Sequence, residues 1–267
     1  MWQFFFSSWR CGFRNRSFLA ILALAVALIG VAYLSAAFSP RQPLTVSLDV
    51  GLSGLRISLV LFAIMLVQDL VGRDIDQRSV VLTLSYPTNR SAYLIGRYLG
   101  VLALTAVAAS ILGMLLWIAV MMSGLHYEQQ FPVELGAPFW LTVLGVWVDV
   151  AVVAAFTLWI ATLSTVTMLP LALGAVFAIG GRALGAVFDY VSKGADGQVD
   201  IAARYGPLLD ITRWLLPDLS RLDWRAWPMY GLVPDIQTTA MALSMAFAYA
   251  ILMIGLAIHA FSQREFS

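Results

Sequence analysis

The sequence predicts an all-α integral membrane protein of six transmembrane helices, with an N-terminal interfacial helix and an outer re-entrant or interfacial segment before the last span. Three observations carry that expectation. Of 267 residues 61% are hydrophobic and only 12% charged. Mean hydropathy is +0.85, far from the balance of a soluble domain. Six apolar runs reach the roughly 20 residues needed to cross a hydrocarbon core of about 30 Å.

Residues 1–17 come first. Trp2, Phe5, Phe6, Trp9 and Phe13 recur at helical spacing with Arg10 and Arg14 on consecutive turns, a pattern suited to a helix lying among lipid headgroups; the alternative is a disordered aromatic tail. The first span, 18–38, ends at Ser39 and Pro40. It is longer than a signal-peptide core of about 7–15 residues, so it is read as retained even though Ser35, Ala36 and Ala37 resemble a cleavage site. The second span covers 52–71 and the third 93–123, longer than one crossing requires. Residues 139–188 form an apolar run of about 75 Å as one helix, more than twice the bilayer core. It must reverse, and Ser164, Thr165 and Thr167, with Pro170 beyond them, mark the turn between spans 139–163 and 166–188. The sixth span is 238–261. All of 1–267 makes one transmembrane domain.

Charge placement sets the orientation. Arg10, Arg14, Arg16, Arg73, Arg78, Arg90, Arg97 and Arg264 fall on one side, against Arg41 alone in the short loops of the other. The positive side is retained in the cytosol, so both termini are expected inside. The long segment 190–235 dissents, with Lys193, Arg204, Arg213, Arg221 and Arg225 on the outer side. Its tryptophans, tyrosines and prolines (Trp214, Trp224, Trp227, Tyr205, Tyr230, Pro217, Pro228) suit short interfacial or re-entrant helices, and a solvated loop of that length is the competing reading. A net charge of +1 gives no basic excess for a nucleic-acid partner. The single Cys11 excludes an intrachain disulfide, and with His126 and His259 it supplies too few ligands for zinc. Met121, Met122 and His126 cluster at the outer end of the third span and invite a copper(I) reading, but methionine in an apolar helix ordinarily packs.

The most informative stretch is 72–92. Gly72-Arg-Asp-Ile-Asp-Gln-Arg-Ser79 is followed by Val-Val-Leu-Thr-Leu-Ser-Tyr-Pro87, and Arg90-Ser-Ala-Tyr-Leu-Ile-Gly-Arg97 opens the third span. Val80, Val81, Leu82, Leu84 and Tyr86 are too few to span, are bounded by charges, and need a surface to bury against: a protein groove or the membrane interface. This stretch, with the six-span layout, resembles the ABC-2-type transporter permeases, and within them those linked to nitrous-oxide-reductase maturation and gliding motility. The resemblance implies a homodimer in the bacterial inner membrane seated on two copies of an ABC ATPase. It also implies a coupling helix at Ser79, Val80, Val81, Leu82, Leu84, Ser85, Tyr86 and Pro87, supported by Arg90 and Arg97, and favours export. ATP and Mg would be held by the ATPase, with no cofactor in this chain; a Walker A loop requires Gly-Lys-Ser/Thr, and the only lysine is Lys193, followed by Gly194. Segment 190–235 is a candidate surface for a periplasmic partner.

Two other classes compete. An ion- or proton-coupled secondary transporter or channel would use the intramembrane charges Asp69, Asp149 and Arg182. An intramembrane enzyme lacks any Gly-x-Ser-x-Gly or His-Glu-x-x-His motif to carry it. Asp149 and Arg182 stand about equally far from the 164–165 turn, so on antiparallel helices they are level and are expected to form an ion pair that clamps the hairpin.

Overall fold

The computed structural model describes residues 5–9, 16–39, 41–72, 74, 90–124, 132–166, 168–192 and 217–263. Among them six helices are long and apolar enough to cross a membrane. They are α1 (Arg16–Ala37), α2 (Pro43–Val67), α3 (Arg90–Ser123), α4 (Ala137–Leu163), α5 (Leu169–Ser192) and α7 (Ile236–Gln263). Helix α2 runs on through a π-helical turn, Gln68–Gly72. Between α5 and α7 lie a 3-10 turn, Leu219–Leu222, and the five-residue α6, Ala226–Tyr230.

Local chemistry explains most of these ends. Pro43 opens α2, and Gly136 precedes α4 with Pro138 in its first turn, positions where a missing N–H costs nothing. Asp235 caps α7: its carboxylate accepts from the Thr238 backbone N–H and hydroxyl, both at 2.9 Å. The Thr238 N–H is the main reason its pKa lies below the ordinary carboxylate value. Helix α4 stops at Ser164, whose hydroxyl bonds with the backbone of Val166. Gly231 takes a positive φ of 67° at the end of α6, the left-handed geometry of a glycine C-cap. One boundary differs from the sequence reading, because α2 begins at Pro43 and not near residue 52. Polar Ser47 and Asp49 interrupt the apolar run there, but Ser47 is buried in the bundle and Asp49 is held by an arginine.

Helices α2 and α4 form the centre. Leu48, Leu52, Leu55 and Leu59 of α2 and Val150, Val153, Ala154 and Leu158 of α4 are sealed from solvent. Around that axis α1, α5 and α7 keep broad apolar faces outward, the surface that lipid or another subunit covers. Stacked rings tie α4 to α5 and α7: Phe156 lies on Phe177 at 4.1 Å between centroids, and Phe177 on Tyr249 at 5.8 Å.

Gly96 with Gly100 and Gly181 with Gly185 are spaced four apart, the small-residue spacing that lets helices approach closely, but Gly100, Gly181 and Gly185 serve other contacts. A Cβ on Gly100 would meet Ser8, so α3 there receives the helical 5–9 segment. On α5, a Cβ at Gly181 would meet Leu219 at 2.8 Å and one at Gly185 would strike Ser220. Gly145 of α4 completes the notch, with a Cβ position 2.8 Å from the Leu222 carbonyl oxygen. The 219–224 segment therefore enters the bundle between α4 and α5, burying Leu219, Leu222 and Trp224. It is re-entrant.

Candidate functional site: a buried chain of alternating charges

The re-entrant segment carries two charges to four others already in the spans. Asp149 lies on the inward face of α4 and is fully buried, and Arg182 of α5 donates from Nη2 to its Oδ2. Both stand roughly 20 Å from the α4–α5 turn at about 1.5 Å per residue. The pair is one link of a longer chain. Arg56 of α2 places Nε 3.8 Å from the same Asp149 oxygen and Nη1 2.5 Å from Asp223 Oδ2. Arg225 holds Asp223 in turn, from Nε at 2.9 Å and Nη2 at 2.8 Å. Its Nη1 reaches Asp49 at 2.8 Å and Ser53 at 3.1 Å, both on α2.

The order Arg182, Asp149, Arg56, Asp223, Arg225, Asp49 alternates in sign and closes with no net charge. That alternation makes the cluster tolerable, because an isolated charge at membrane depth costs on the order of 2.5–3.5 kcal/mol even on the lenient insertion scale. Asp223 is satisfied from two sides, by Arg56 and Arg225, and Arg225 in turn by Asp223, Asp49 and Ser53, which offsets the cost of burying each charge. Within this cluster three buried polar atoms have no hydrogen-bond partner among the described residues: Arg56 Nε, Arg182 Nε and Asp149 Oδ1.

Between α2, α5 and the re-entrant segment opens a cleft of about 540 Å³. Arg56, Arg182, Arg225, Asp223, Ser53 and Ser220 supply its polar lining.

A second cluster sits where α3 begins and α7 ends. Asp74 accepts from Arg97 Nη2 at 2.6 Å and from the Tyr93 hydroxyl at 2.9 Å. Arg97 also donates to Ser8 Oγ at 3.2 Å, which ties the 5–9 segment to α3. Arg90 donates to the carbonyls of Phe261 and Ser262 at the end of α7, at 3.3 and 2.9 Å, and Tyr93 stacks on Phe261. Arg90 and Arg97 thus frame the two described edges of segment 72–92. Ser79, Val80, Val81, Leu82, Leu84, Ser85, Tyr86 and Pro87 lie outside the described residues.

The remaining candidates are not assembled into a site. Met121 and Met122 end α3 with exposed side chains, and His126 lies outside the described residues. No group of three His, Cys, Asp or Glu side chains converges among the described residues. Asp69 is half-buried in the π-helical turn, far along α2 from Arg56. Sequence reasoning missed Arg56, Asp49, Ser53, Asp223 and Arg225. A signal existed for three of them: Asp49, Ser53 and Arg56 recur at steps of four and three and so share one helical face. Their acidic and basic partners lie more than 90 positions away, beyond any local spacing rule.

No curated relative matches the chain. Residues 46–190, which run from the start of α2 through α5 and include the whole of segment 72–92, match the family model described as ABC-2 family transporter protein. That is more than half of the sequence, and with six spanning helices it places this multi-pass protein in the ABC-2 transporter family.

Proposed function

We propose that the chain is the permease subunit of an ABC exporter of the bacterial inner membrane, working as a homodimer on two copies of a separate ATPase that holds ATP and Mg. The observation that carries the reading is the family match across segment 72–92. A short apolar run bounded by charges there suits a groove on a soluble partner. Residues 79–87 are the coupling element, and Arg90 and Arg97 anchor its far side, where Arg97 grips Asp74 and Arg90 grips the end of α7. A push on 79–87 is delivered through these contacts to α3, α7 and the 5–9 segment together.

Both termini lie in the cytosol on this reading, and the 217–230 segment faces outward, where the rest of 190–235 is available to a periplasmic partner. The outward apolar faces of α1, α5 and α7 supply the dimer contact and the lipid contact. The Asp149–Arg182 pair clamps the α4–α5 hairpin. Within the family, the likeness of the 72–97 motif is what supports a reading as a permease of the nitrous-oxide-reductase-maturation and gliding-motility type.

The six-charge chain favours one competing reading, an ion-coupled secondary transporter. A single substitution separates the two. Leu82→Asp puts a charge into an apolar contact. The expected outcome is normal membrane insertion with loss of ATPase recovery and of nucleotide-driven activity. Full activity with normal ATPase recovery would remove 79–87 from coupling.

A further inference from the structure

We infer that the cleft between α2, α5 and the re-entrant segment binds an anionic phosphoryl group, held by the guanidinium groups of Arg56, Arg182 and Arg225. Calling that group cargo rests on the permease reading; the binding itself does not.

The charge chain is balanced as a whole, yet the cleft presents its cations unequally. Three arginines line it against one carboxylate, Asp223. Asp149 is fully buried behind Arg182, and Asp49 is not among the lining residues. Asp223 is already neutralised from two sides, by Arg56 and Arg225. Each guanidinium has five N–H donors. Arg225 spends most of its own on Asp223, Asp49 and Ser53. Arg182 and Arg56 each make one hydrogen bond to a carboxylate, from Nη2 and Nη1 respectively, so the other terminal nitrogens, Arg182 Nη1 and Arg56 Nη2, carry donors not spent on any described residue.

Geometry selects the ligand class. The slot for a two-oxygen group between Arg56 and Arg225 is taken by the chain's own Asp223. The donors left over come from separate elements, α2 and α5, and a tetrahedral group with three free oxygens can accept from both, as arginine forks do with phosphate. Ser53 and Ser220 add hydroxyls to the lining. Beside the arginines the surface turns apolar: Ile57 on α2 is 51% exposed, and Ile179, one turn before Arg182 on α5, is 72% exposed. A phosphoryl group on an acyl or isoprenoid chain satisfies both parts, the head in the cleft and the tail along α2 and α5.

The test is direct binding to the full-length permease in uncharged detergent, without ATPase or nucleotide. The probes are dihexanoyl phosphatidic acid, dihexanoyl phosphatidylcholine and inorganic phosphate. Saturable binding of the phosphatidic acid is expected, with phosphatidylcholine at least about tenfold weaker, the worth of one charge-assisted hydrogen bond. Inorganic phosphate binding as tightly as the lipid would support the site and assign it to a free anion. The charge-neutral double variant Asp149→Asn/Arg182→Gln should weaken phosphatidic acid by a similar factor. Arg182→Lys, which keeps the ion pair and loses the fork, should weaken it by less. Equal binding of both lipids, or unchanged affinity in the double variant, overturns the inference. Because no ATPase is present, such a failure leaves the permease reading standing, and loss of the ATPase partner leaves this site standing.

Discussion

The two charged clusters use the same residue types to different ends. In the cluster beside the 219–225 segment, Asp149, Arg182, Arg56, Asp223, Arg225 and Asp49 alternate in sign and satisfy one another across α2, α4, α5 and that segment. At the terminal end, Asp74, Arg97, Tyr93 and Arg90 use one carboxylate, a hydroxyl and the carbonyls of a helix end. Removing a member from a closed chain of charges strands its neighbour in low dielectric. Removing one that bonds to a helix-end carbonyl leaves a neutral group that water reaches. The first arrangement fixes helices relative to one another, whereas the second ties together α3, the end of α7 and the 5–9 segment, the elements that an ATPase would move on the proposed reading.

The largest expected effect tests that contrast. Asp149→Asn alone leaves Arg182 and Arg56 facing a neutral amide and should cost about 3–5 kcal/mol, the range for breaking a buried pair. Asp149→Asn with Arg182→Gln restores the balance and should cost less than either single change. Arg90→Gln at the other cluster, where the lost partners are the carbonyls that end α7, should cost only about 1–2 kcal/mol in stability while lowering nucleotide-driven activity. Thermal unfolding of the purified complex reads all four variants. Additive losses at 149 and 182 would show that the two charges do not act as a pair.

A smaller effect sharpens the same picture through packing. The re-entrant segment reaches the charges because glycines admit it, so Gly145→Ala drives a methyl against the Leu222 carbonyl. It should cost about 1–3 kcal/mol, as overpacking does. Gly180→Ala, on the same side of the charge chain but with nothing within 4 Å of its Cβ, should be neutral within about 0.5 kcal/mol. Equal effects at the two positions would mean that the 219–224 segment is not seated between α4 and α5.

These regions also show what a sequence displays and what it hides. Six spans were legible because each crossing needs its own length of apolar residues, and the 164–168 reversal because a 50-residue apolar run cannot cross once. The meeting of Asp149 with Arg182 was legible for the same reason: two antiparallel helices joined by a short turn place residues by counting. Arg56 and Asp223 obey no such count. Their contact joins α2 to a segment 167 positions later, and only the notch cut by Gly145, Gly181 and Gly185 brings them level. Small-residue spacing pointed to close approach at Gly181 and Gly185, but not to whether a helix or a re-entrant turn would fill it.

On the proposed reading this membrane-spanning chain leaves the hydrolysis of ATP to another polypeptide. Mass measurement of the complex extracted in mild detergent decides it. Two copies of this chain with two of a soluble ATPase are expected, with disassembly to permease alone when the ATPase is withheld. A monomer that moves its substrate with no nucleotide-binding partner would contradict it.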